Sequence, residues 1–301
     1  MSSPGWKGIK HKLELFGVKL LSSLPLLLPY KWSIKAGGLL GAFAFDVVRV
    51  RHRVTLENLE KAFGDGMTAS ERVRTGRRSY VNFTKSMVEL ISLRRLDEGK
   101  LHELVRIHGR ENMDAALAEG KGVIVVTGHF GSWELLGAAG VAHGIPVDFL
   151  VGEQTNNLVD DHINGLRASA GIGVIPKGIA IRGVFRSLRK NRTIAILSDQ
   201  DARKAGIFVD FFGIPSSTYP GAAQFVWKTG CPMVFCRIVR REDETHDAYF
   251  MPPMHADTEL EGSGEIRRLT AAFTKELESA IRKNPDHYFW AHRRWKTKPP
   301  E

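Results

Sequence analysis

Hydrophobic and polar positions follow two different periods along the chain. From residue 49 to residue 101, apolar side chains recur every three or four positions, as in the stripe that runs from Tyr80 to Ile91. This period predicts amphipathic helices. Thr68 and Glu71 have the spacing of a capping box, so one of these helices is expected to begin there.

From Gly122 onward, short β-rich apolar runs alternate with helical segments. The predicted strands are Val123–Thr127, Val147–Val151, Gly173–Ile175, Thr193–Leu197 and Met233–Val239. The predicted helices cover about Ser132–Ala142, Leu158–Ser169, Ile179–Lys190, Gly221–Thr229 and Glu265–Lys283. This alternation implies βαβ crossovers. We therefore predict an α/β fold with a mostly parallel sheet covered by helices, in which residues 51–301 form one domain with a helical N-terminal layer.

Residues 1–50 are predicted to form a separate membrane-associating segment. An apolar stretch extends from Leu13 to Val48, and lysines and prolines interrupt it. Its longest uncharged runs, Leu20–Tyr30 and Ala36–Phe45, are about half as long as a spanning helix requires. We predict two short helices at a bilayer interface, with the lysines reaching the headgroups. The alternatives are a helical hairpin packed on the protein's own core and a true membrane span.

These alternatives make different predictions for a protein truncated near Arg49. If the segment is only an anchor, the truncated protein should stay folded and lose its attachment to bilayers. If the segment belongs to the core, the truncated protein should unfold and aggregate.

The charge balance narrows the class of partner. The formal net charge is +10 at pH 7, which favours nucleic acid, an anionic membrane surface or an acidic carrier protein. The sequence contains no zinc-finger pattern, RNP-like signature or glycine-rich basic arm, so nucleic acid is disfavoured. Cys231 and Cys236 fall in an apolar run without C-x-x-C spacing, and we expect them to be reduced and buried.

The sharpest candidate for chemistry is His129, in the turn after the strand that ends at Thr127. Catalytic groups of parallel sheets lie just beyond the carboxyl ends of strands. Ser132 is expected to cap the next helix and to place Glu134 in its first turn, from which Glu134 can reach back to the imidazole. A carboxylate on one ring nitrogen fixes the tautomer and makes the other nitrogen a better base. Backbone amides at Gly131 and Ser132 are the candidate oxyanion donors.

A His129/Glu134 pair can deprotonate a hydroxyl as it attacks an acyl thioester. Spacing alone leaves open that His129 is an ordinary loop histidine and that Glu134 only marks a helix start. Ser132 as a nucleophile is disfavoured, because its surroundings lack the G-x-S-x-G elbow.

A second acidic feature, Ser198-Asp-Gln-Asp201, also follows a predicted strand. Asp199 and Asp201 could bind Mg²⁺ as in phosphohydrolases, or could brace the site through hydrogen bonds. No further acidic ligands occur at nearby strand ends in the sequence, so we predict no metal. Phe211 and Phe212 are candidates for the wall of a greasy ligand site, although core packing is the commoner role.

Two basic residues are the better candidates for binding phosphoryl oxygens. Arg167 offers a bidentate guanidinium and Lys177 a loop ammonium. The function classes that these residues leave open are an acyltransferase, a membrane-surface lipid esterase or metal-dependent phosphohydrolase, and a non-catalytic lipid-binding protein.

Four motifs in order along nearly the whole chain resemble one family. The segment His129-Phe-Gly-Ser-Trp-Glu134 is similar to the H-x4-D/E motif of the lysophospholipid acyltransferase superfamily. The remaining motifs resemble the Kdo-dependent lipid A biosynthesis acyltransferases. They are Arg53-Val-Thr-Leu-Glu-Asn-Leu59 with Phe63, Asp199-Gln-Asp201 with the Gly206–Gly213 stretch and Thr218, and Asn284-Pro-Asp-His-Tyr-Phe-Trp-Ala-His-Arg-Arg-Trp-Lys296.

The resemblance implies transfer of a fatty acyl chain from an acyl-carrier-protein or CoA thioester to a hydroxyl of a lipid A precursor or related glycolipid. It implies His129 and Glu134 as the catalytic dyad, Arg167 as a site arginine and Thr218 as a substrate contact. It further implies no cofactor or metal, and residence at the cytoplasmic face of the inner membrane. The segment Gly152–Leu158 departs from the family's tyrosine- and arginine-containing stretch, which leaves the acceptor lipid open.

Overall fold

The computed structural model describes residues 4–152, 155–176, 178, 180–257 and 259–300. The helices are α1 (Pro4–Leu26), α2 (Tyr30–Phe43), α3 (His52–Phe63), α4 (Ala69–Ser92), α5 (Glu98–Leu104), α6 (Arg110–Ala118), α7 (Trp133–Ala142), α8 (Asn157–Ser169), α9 (Ala180–Leu188), α10 (Gly221–Thr229) and α11 (Gly262–Lys283). The strands are β1 (Val105–His108), β2 (Val123–Thr127), β3 (Val147–Val151), β4 (Gly173–Pro176), β5 (Thr193–Leu197), β6 (Ile207–Phe211), β7 (Ile214–Thr218), β8 (Met233–Arg240) and β9 (His246–Phe250).

Seven strands form one sheet in the order β1-β9-β8-β2-β5-β3-β4, and β6 and β7 form a separate hairpin. Within the large sheet β8 and β9 pair antiparallel, whereas the other neighbours pair parallel. Alternate residues of the central strand β2 face two apolar layers: Ile124 and Val126 pack with α9, α10 and α11, and Val123 and Val125 pack with α4 to α8. The predicted α/β architecture with a mostly parallel sheet is confirmed.

All five predicted strands occur within a residue of their predicted ends. The prediction missed β1, the β6–β7 hairpin and β9. The reason is visible in β1 (Val105–His108), where apolar and charged residues alternate over only four positions. Such a short run carries too weak a pattern to separate from a helix end. Thr68 caps α4 through the predicted capping box with Glu71.

The two N-terminal helices differ in what they contact. Helix α2 packs on α4 so closely that a Cβ atom added at Gly41 would lie 2.5 Å from the Tyr80 carbonyl oxygen, and Ile34 is fully buried. This face of α2 therefore packs on the protein's own core, as one of the predicted alternatives has it. Helix α1 contacts α2, α4 and α8. Asn156 donates to the His11 carbonyl oxygen (3.0 Å) and to the Glu14 carboxylate (2.8 Å) of α1.

The outer faces of these helices are apolar and exposed. The side chains more than half exposed here are Leu13, Phe16, Leu20, Leu27, Trp32, Leu39, Leu40, Phe43, Val47, Val48 and Val50. Among the described residues, none of the helices combines the length and the apolar character that crossing a bilayer requires.

The C-terminal tail returns to the centre of the molecule after α11. Asn58 of α3 donates to the carbonyl oxygens of Trp290 (2.8 Å) and His292 (2.6 Å), and the Trp290 ring is buried. Tyr288 forms an antiparallel bridge with Phe130 in the turn after β2. Two motifs far apart in sequence, the Arg53–Leu59 stretch and the tail, thus meet beside the turn that carries His129.

Candidate active site

The turns that follow β2 and β5 bring a histidine and a carboxylate together. These strands are parallel neighbours in which Thr127 pairs with Leu197. His129 and Asp199 each lie two residues beyond that pair, so the two side chains leave the sheet side by side. The Nδ1 atom of His129 lies 2.8 Å from Oδ1 of Asp199, and Asp199 is almost completely buried.

The C-terminal tail fixes the backbone of the His129 turn. The amide of Gly131 donates to the His287 carbonyl oxygen (2.8 Å), and the amide of Phe289 donates to the His129 carbonyl oxygen (3.0 Å). Gly131 has φ +60°, and a Cβ atom there would lie 2.0 Å from the Ile238 carbonyl oxygen. Only glycine fits this position. The turn is thus enclosed by backbone groups of the tail on one side and of Ile238 on the other.

Burial disfavours the imidazolium form of His129, but the charge and hydrogen bond of Asp199, together with the charge of Glu134, more than offset it, and the pKa of His129 is raised. Burial alone would raise the pKa of Asp199, but the attraction and hydrogen bond of His129 and backbone amides hold that pKa below its usual value. A carboxylate that stays ionised beside Nδ1 keeps the Nδ1–H tautomer and leaves Nε2 as the basic atom.

Glu134 does not hold His129, which corrects the predicted hydrogen bond between them. Its carboxylate is instead paired with Arg167 in bidentate geometry, with Nε–Oε2 at 3.0 Å and Nη2–Oε1 at 2.6 Å. It also accepts from the indole N–H of Trp133 (3.2 Å). The predicted reach from the helix was wrong because Glu134 lies in the first turn of α7 and points toward α8, where Arg167 completes its hydrogen bonds.

A cavity of about 440 Å³ opens beside His129. Its polar wall includes Glu134, Arg167 and Gln200, and its apolar wall includes Met87 and Phe149. Trp133 stacks edge-on against His129 with 4.9 Å between ring centroids. The cavity therefore surrounds the imidazole with both charged and apolar side chains.

A small apolar void of about 30 Å³ lies deeper, under the same strands. Trp133, Phe149 and Leu197 line both this void and the cavity of His129. Gly137 and Gly140 of α7 also line it, and their lack of side chains leaves the space open. The apolar wall of the cavity thus continues into the core between the sheet and α7.

The predicted oxyanion donors and the predicted phenylalanine wall do not line the cavity. Gly131 is not available as an oxyanion donor, because its amide already donates to His287, and Ser132 is buried outside the cavity lining. Phe211 and Phe212 pack in the core, where both rings contact Trp295, so they do not form the predicted wall.

Thr218 is also buried, and its hydroxyl accepts from the Arg294 guanidinium at 2.5 Å, so it is a structural contact and not part of the cavity. Asp201 accepts from the Thr297 hydroxyl (2.9 Å) and lines a second groove on the far side of Gln200. Lys177 lies outside the described residues.

Gln200 is the site residue that the sequence interpretation missed. Its side-chain nitrogen lies 3.5 Å from Nε2 of His129, and it lines the cavity. The sequence feature that could have predicted it is its position between Asp199 and Asp201, directly after a strand end. Within the described part of the chain, no cluster of three or more His, Cys, Asp or Glu residues is arranged to hold a metal ion.

Comparison with known proteins identifies the family. Residues 10–297 match the family model described as bacterial lipid A biosynthesis acyltransferase. The chain belongs to this family. It is therefore an acyltransferase, and the hydrolase and non-catalytic alternatives are set aside.

Relatives of this acyltransferase share its length. It is 27% identical to the lipid A biosynthesis palmitoleoyltransferase of Escherichia coli K12 over 96% of this chain and 93% of that one. It is 23% identical to the lauroyltransferase of the same organism with the same coverage of both chains. It is also 31% identical over 133 residues, 42% of each chain, to a phosphatidylinositol mannoside acyltransferase of Mycobacterium tuberculosis CDC 1551.

Proposed function

We propose that this acyltransferase moves a fatty acyl chain from a carrier-protein or CoA thioester to a hydroxyl of a lipid A precursor or related glycolipid, with His129 as general base. The observation that carries the proposal is the 2.8 Å contact between Nδ1 of His129 and the buried Asp199 carboxylate. This contact leaves Nε2 on the cavity side, near Gln200. The relatives' names supply the acceptor class, since they are lipid A and phosphatidylinositol mannoside acyltransferases.

In this mechanism Nε2 of His129 accepts the proton of the acceptor hydroxyl as its oxygen attacks the thioester carbonyl carbon. The C–O bond forms and the carbonyl electrons move onto oxygen. When the tetrahedral intermediate collapses, the C–S bond breaks and the thiolate takes the proton from Nε2. Asp199 stabilises the transient imidazolium throughout, and the products are an ester and a free thiol.

The Gln200 amide is our candidate donor to the oxyanion, in place of Gly131. A side-chain N–H donor close to Nε2 can reach the carbonyl oxygen of a thioester held there. Glu134 and Arg167, as a closed ion pair, shape the polar wall instead of exchanging protons. The apolar wall at Phe149 and Leu197 offers a surface for the acyl chain.

Charge and exposed apolar surface support a carrier-protein donor and a membrane surface, and the family resemblance implies the location. The net charge of +10 favours an acidic carrier protein or an anionic bilayer. The exposed apolar side chains of α1 and α2 can enter a bilayer interface, and basic residues near them add about 1 kcal/mol each at an anionic surface. We propose that the enzyme works at the cytoplasmic face of the inner membrane.

The central experiment compares purified wild-type enzyme with His129→Ala, using an acyl-carrier-protein thioester, acyl-CoA and a lipid A precursor in detergent micelles. His129→Ala should lower kcat by about 10²- to 10⁴-fold, and a cooperative thermal unfolding transition should show that the variant stays folded. Mass spectrometry of the lipid product distinguishes acyl transfer from thioester hydrolysis. Turnover near the wild-type value in His129→Ala would exclude this mechanism.

The membrane part of the proposal is tested separately. Changing Leu13, Phe16 and Leu20 to serine should release the protein from anionic vesicles in a sedimentation assay and leave its activity in micelles intact. Removal of residues 1–48 should instead cause aggregation, because it uncovers the α4 surface that α2 packs against. If the serine variant still sediments fully with vesicles, α1 does not hold the enzyme on the membrane.

A further inference from the structure

A second groove lies on the far side of Gln200 from the cavity of His129. Its volume is about 550 Å³, and Gln200 lines both spaces. Four of its lining residues are cationic: Arg51, Arg203, Arg293 and Lys296. We call this space the basic groove. Its cations come from three distant parts of the sequence, namely the start of α3, the turn after β5 and the C-terminal tail.

The four cations of the basic groove have no ion-pair partner among the described residues. Elsewhere in the described chain Arg167 is paired with Glu134 and Arg240 with Glu89. In the basic groove the Arg51 guanidinium donates to the Ala291 carbonyl oxygen, at 3.2 Å. Asp201 is the one carboxylate among the residues that line the groove, so the cations outnumber it and repel one another, and an anionic ligand would reduce that repulsion.

Two of these arginines are held in an uncommon backbone conformation. Arg51 has φ +50° and Arg203 has φ +53°, a region that non-glycine residues seldom occupy. Arg203 is secured there because its carbonyl oxygen accepts from the Ser217 hydroxyl at 2.6 Å. Such local strain concentrates at binding sites, where the surrounding structure maintains it.

The groove also contains an acceptor without a protein donor. Asp201 is 9% exposed, and its Oδ2 accepts from the Thr297 hydroxyl, but its Oδ1 has no hydrogen-bond partner in the described structure. A buried carboxylate oxygen requires a donor, and a sugar hydroxyl supplies one. Cations for an anion and a carboxylate for a hydroxyl are together the complement of a phosphorylated sugar.

The position of the groove indicates which substrate carries that sugar. Val47, Val48 and Val50 are more than half exposed and continue the apolar surface of α2, and Arg51 follows them directly. A lipid held with its chains at this apolar surface would present its headgroup to the adjacent cations. A guanidinium suits phosphate oxygens because it donates two parallel hydrogen bonds.

We infer that the basic groove binds a phosphate group on the sugar headgroup of the acceptor lipid, and so places an acceptor hydroxyl at His129. This inference rests on the proposed function and deepens it, because it assigns the acceptor to the side of Gln200 opposite the acyl-chain cavity. It replaces the predicted phosphate role of Arg167, whose guanidinium is committed to Glu134.

The test is a triple variant, Arg203→Gln, Arg293→Gln and Lys296→Gln. Its matched control is Arg186→Gln, Arg189→Gln and Lys190→Gln, which removes the same charge from the end of α9. The acceptors are a bisphosphorylated lipid A precursor and its dephosphorylated counterpart, both in neutral detergent micelles. Thermal unfolding establishes that each variant is folded. If the triple variant is unfolded, the single variants Arg293→Lys and Lys296→Gln are measured in its place.

The triple variant should raise KM for the phosphorylated acceptor at least about tenfold, since each lost contact is a charge-assisted hydrogen bond. KM for the dephosphorylated acceptor and for the thioester donor should stay within about twofold, and the α9 control should match wild type. The single variant Arg293→Lys should retain part of the affinity because it keeps the charge.

Two kinetic results would overturn the inference. An unchanged KM for the phosphorylated acceptor would show that the groove is only a solvated surface. A raised KM for the donor alone would assign the groove to the phosphodiester of the carrier or of CoA. If the wild-type enzyme transferred no acyl chain, the proposed function would fail first. Binding of the phosphorylated precursor to the wild-type and triple-variant proteins, followed by intrinsic fluorescence, would still decide whether the groove binds phosphate.

Discussion

Two regions place a buried carboxylate near His129, and they differ in what each carboxylate touches. The turn after β5 directs Asp199 to the imidazole, whereas the first turn of α7 directs Glu134 to Arg167. Their exposed fractions are similar, 4% for Asp199 and 2% for Glu134. Burial and closeness in sequence therefore do not reveal which carboxylate orients the base. The register of two neighbouring strands does.

The largest effect that tests this comparison is expected from Asp199→Asn. An amide cannot stabilise the imidazolium and permits the wrong tautomer, so kcat should fall by about 10²- to 10⁴-fold with little change in KM. Steady-state kinetics with saturating donor and acceptor measure it. If Asp199→Asn stays within threefold of wild type while Glu134→Gln is inactive, the roles of the two carboxylates are reversed.

Glu134→Gln should have a smaller catalytic effect and a larger effect on stability. It leaves the Arg167 guanidinium without its carboxylate in a site where only 14% of the arginine side chain is exposed. Breaking a buried ion pair costs about 3 kcal/mol, whereas kcat should fall only about tenfold, equivalent to about 1.4 kcal/mol. Urea unfolding measures the stability. The double variant Glu134→Gln/Arg167→Met should recover part of it, and an unchanged unfolding midpoint in the single variant would contradict the ion pair.

The third effect is a pH dependence in which activity and stability change in opposite directions. The base acts when His129 is neutral, so kcat should rise with pH through its raised pKa. Because the folded pKa lies above the unfolded one, the stabilisation by protonated His129 is fully present below the unfolded pKa and is lost as pH rises through the folded pKa.

The matched comparison is the pH profile of Asp199→Asn. Removal of this carboxylate should shift the midpoint of the kcat profile to lower pH and weaken the pH dependence of its unfolding free energy relative to wild type. Glu134→Gln should shift the midpoint less, because Glu134 acts on His129 only through its charge. Equal shifts in both variants would mean that neither carboxylate has a privileged contact with the imidazole.

The smallest expected effect is that of chelation. Asp199 is committed to His129 and Asp201 to Thr297, so we expect excess EDTA to leave turnover unchanged within error. The assay should include a Mg²⁺ add-back and a known magnesium enzyme as its positive control. Activity that EDTA abolishes and Mg²⁺ restores would indicate that these carboxylates bind a metal during turnover.

Sequence patterns located most of the sheet because its central strands carry continuous apolar runs. The run Val123–Thr127 is buried on both faces, and its bounds were predicted without error. Buried and partly buried residues alternate along β9, but the strand begins with the polar residues His246 and Asp247, so the sequence shows no clear apolar alternation. Its pairing with β8 also depends on contacts remote in sequence.

The sequence by itself determined the fold class, the family and the position of His129 and Asp199 beyond strand ends, because these depend on local periodicity and on motifs in order. Only the tertiary structure decided which groups meet. The parallel register of Thr127 with Leu197 places Asp199 at the imidazole. The packing of α8 beside α7 assigns Arg167 to Glu134, and the return of the tail completes the basic groove. Contacts between residues tens of positions apart are fixed by packing and strand pairing, and no local pattern records them.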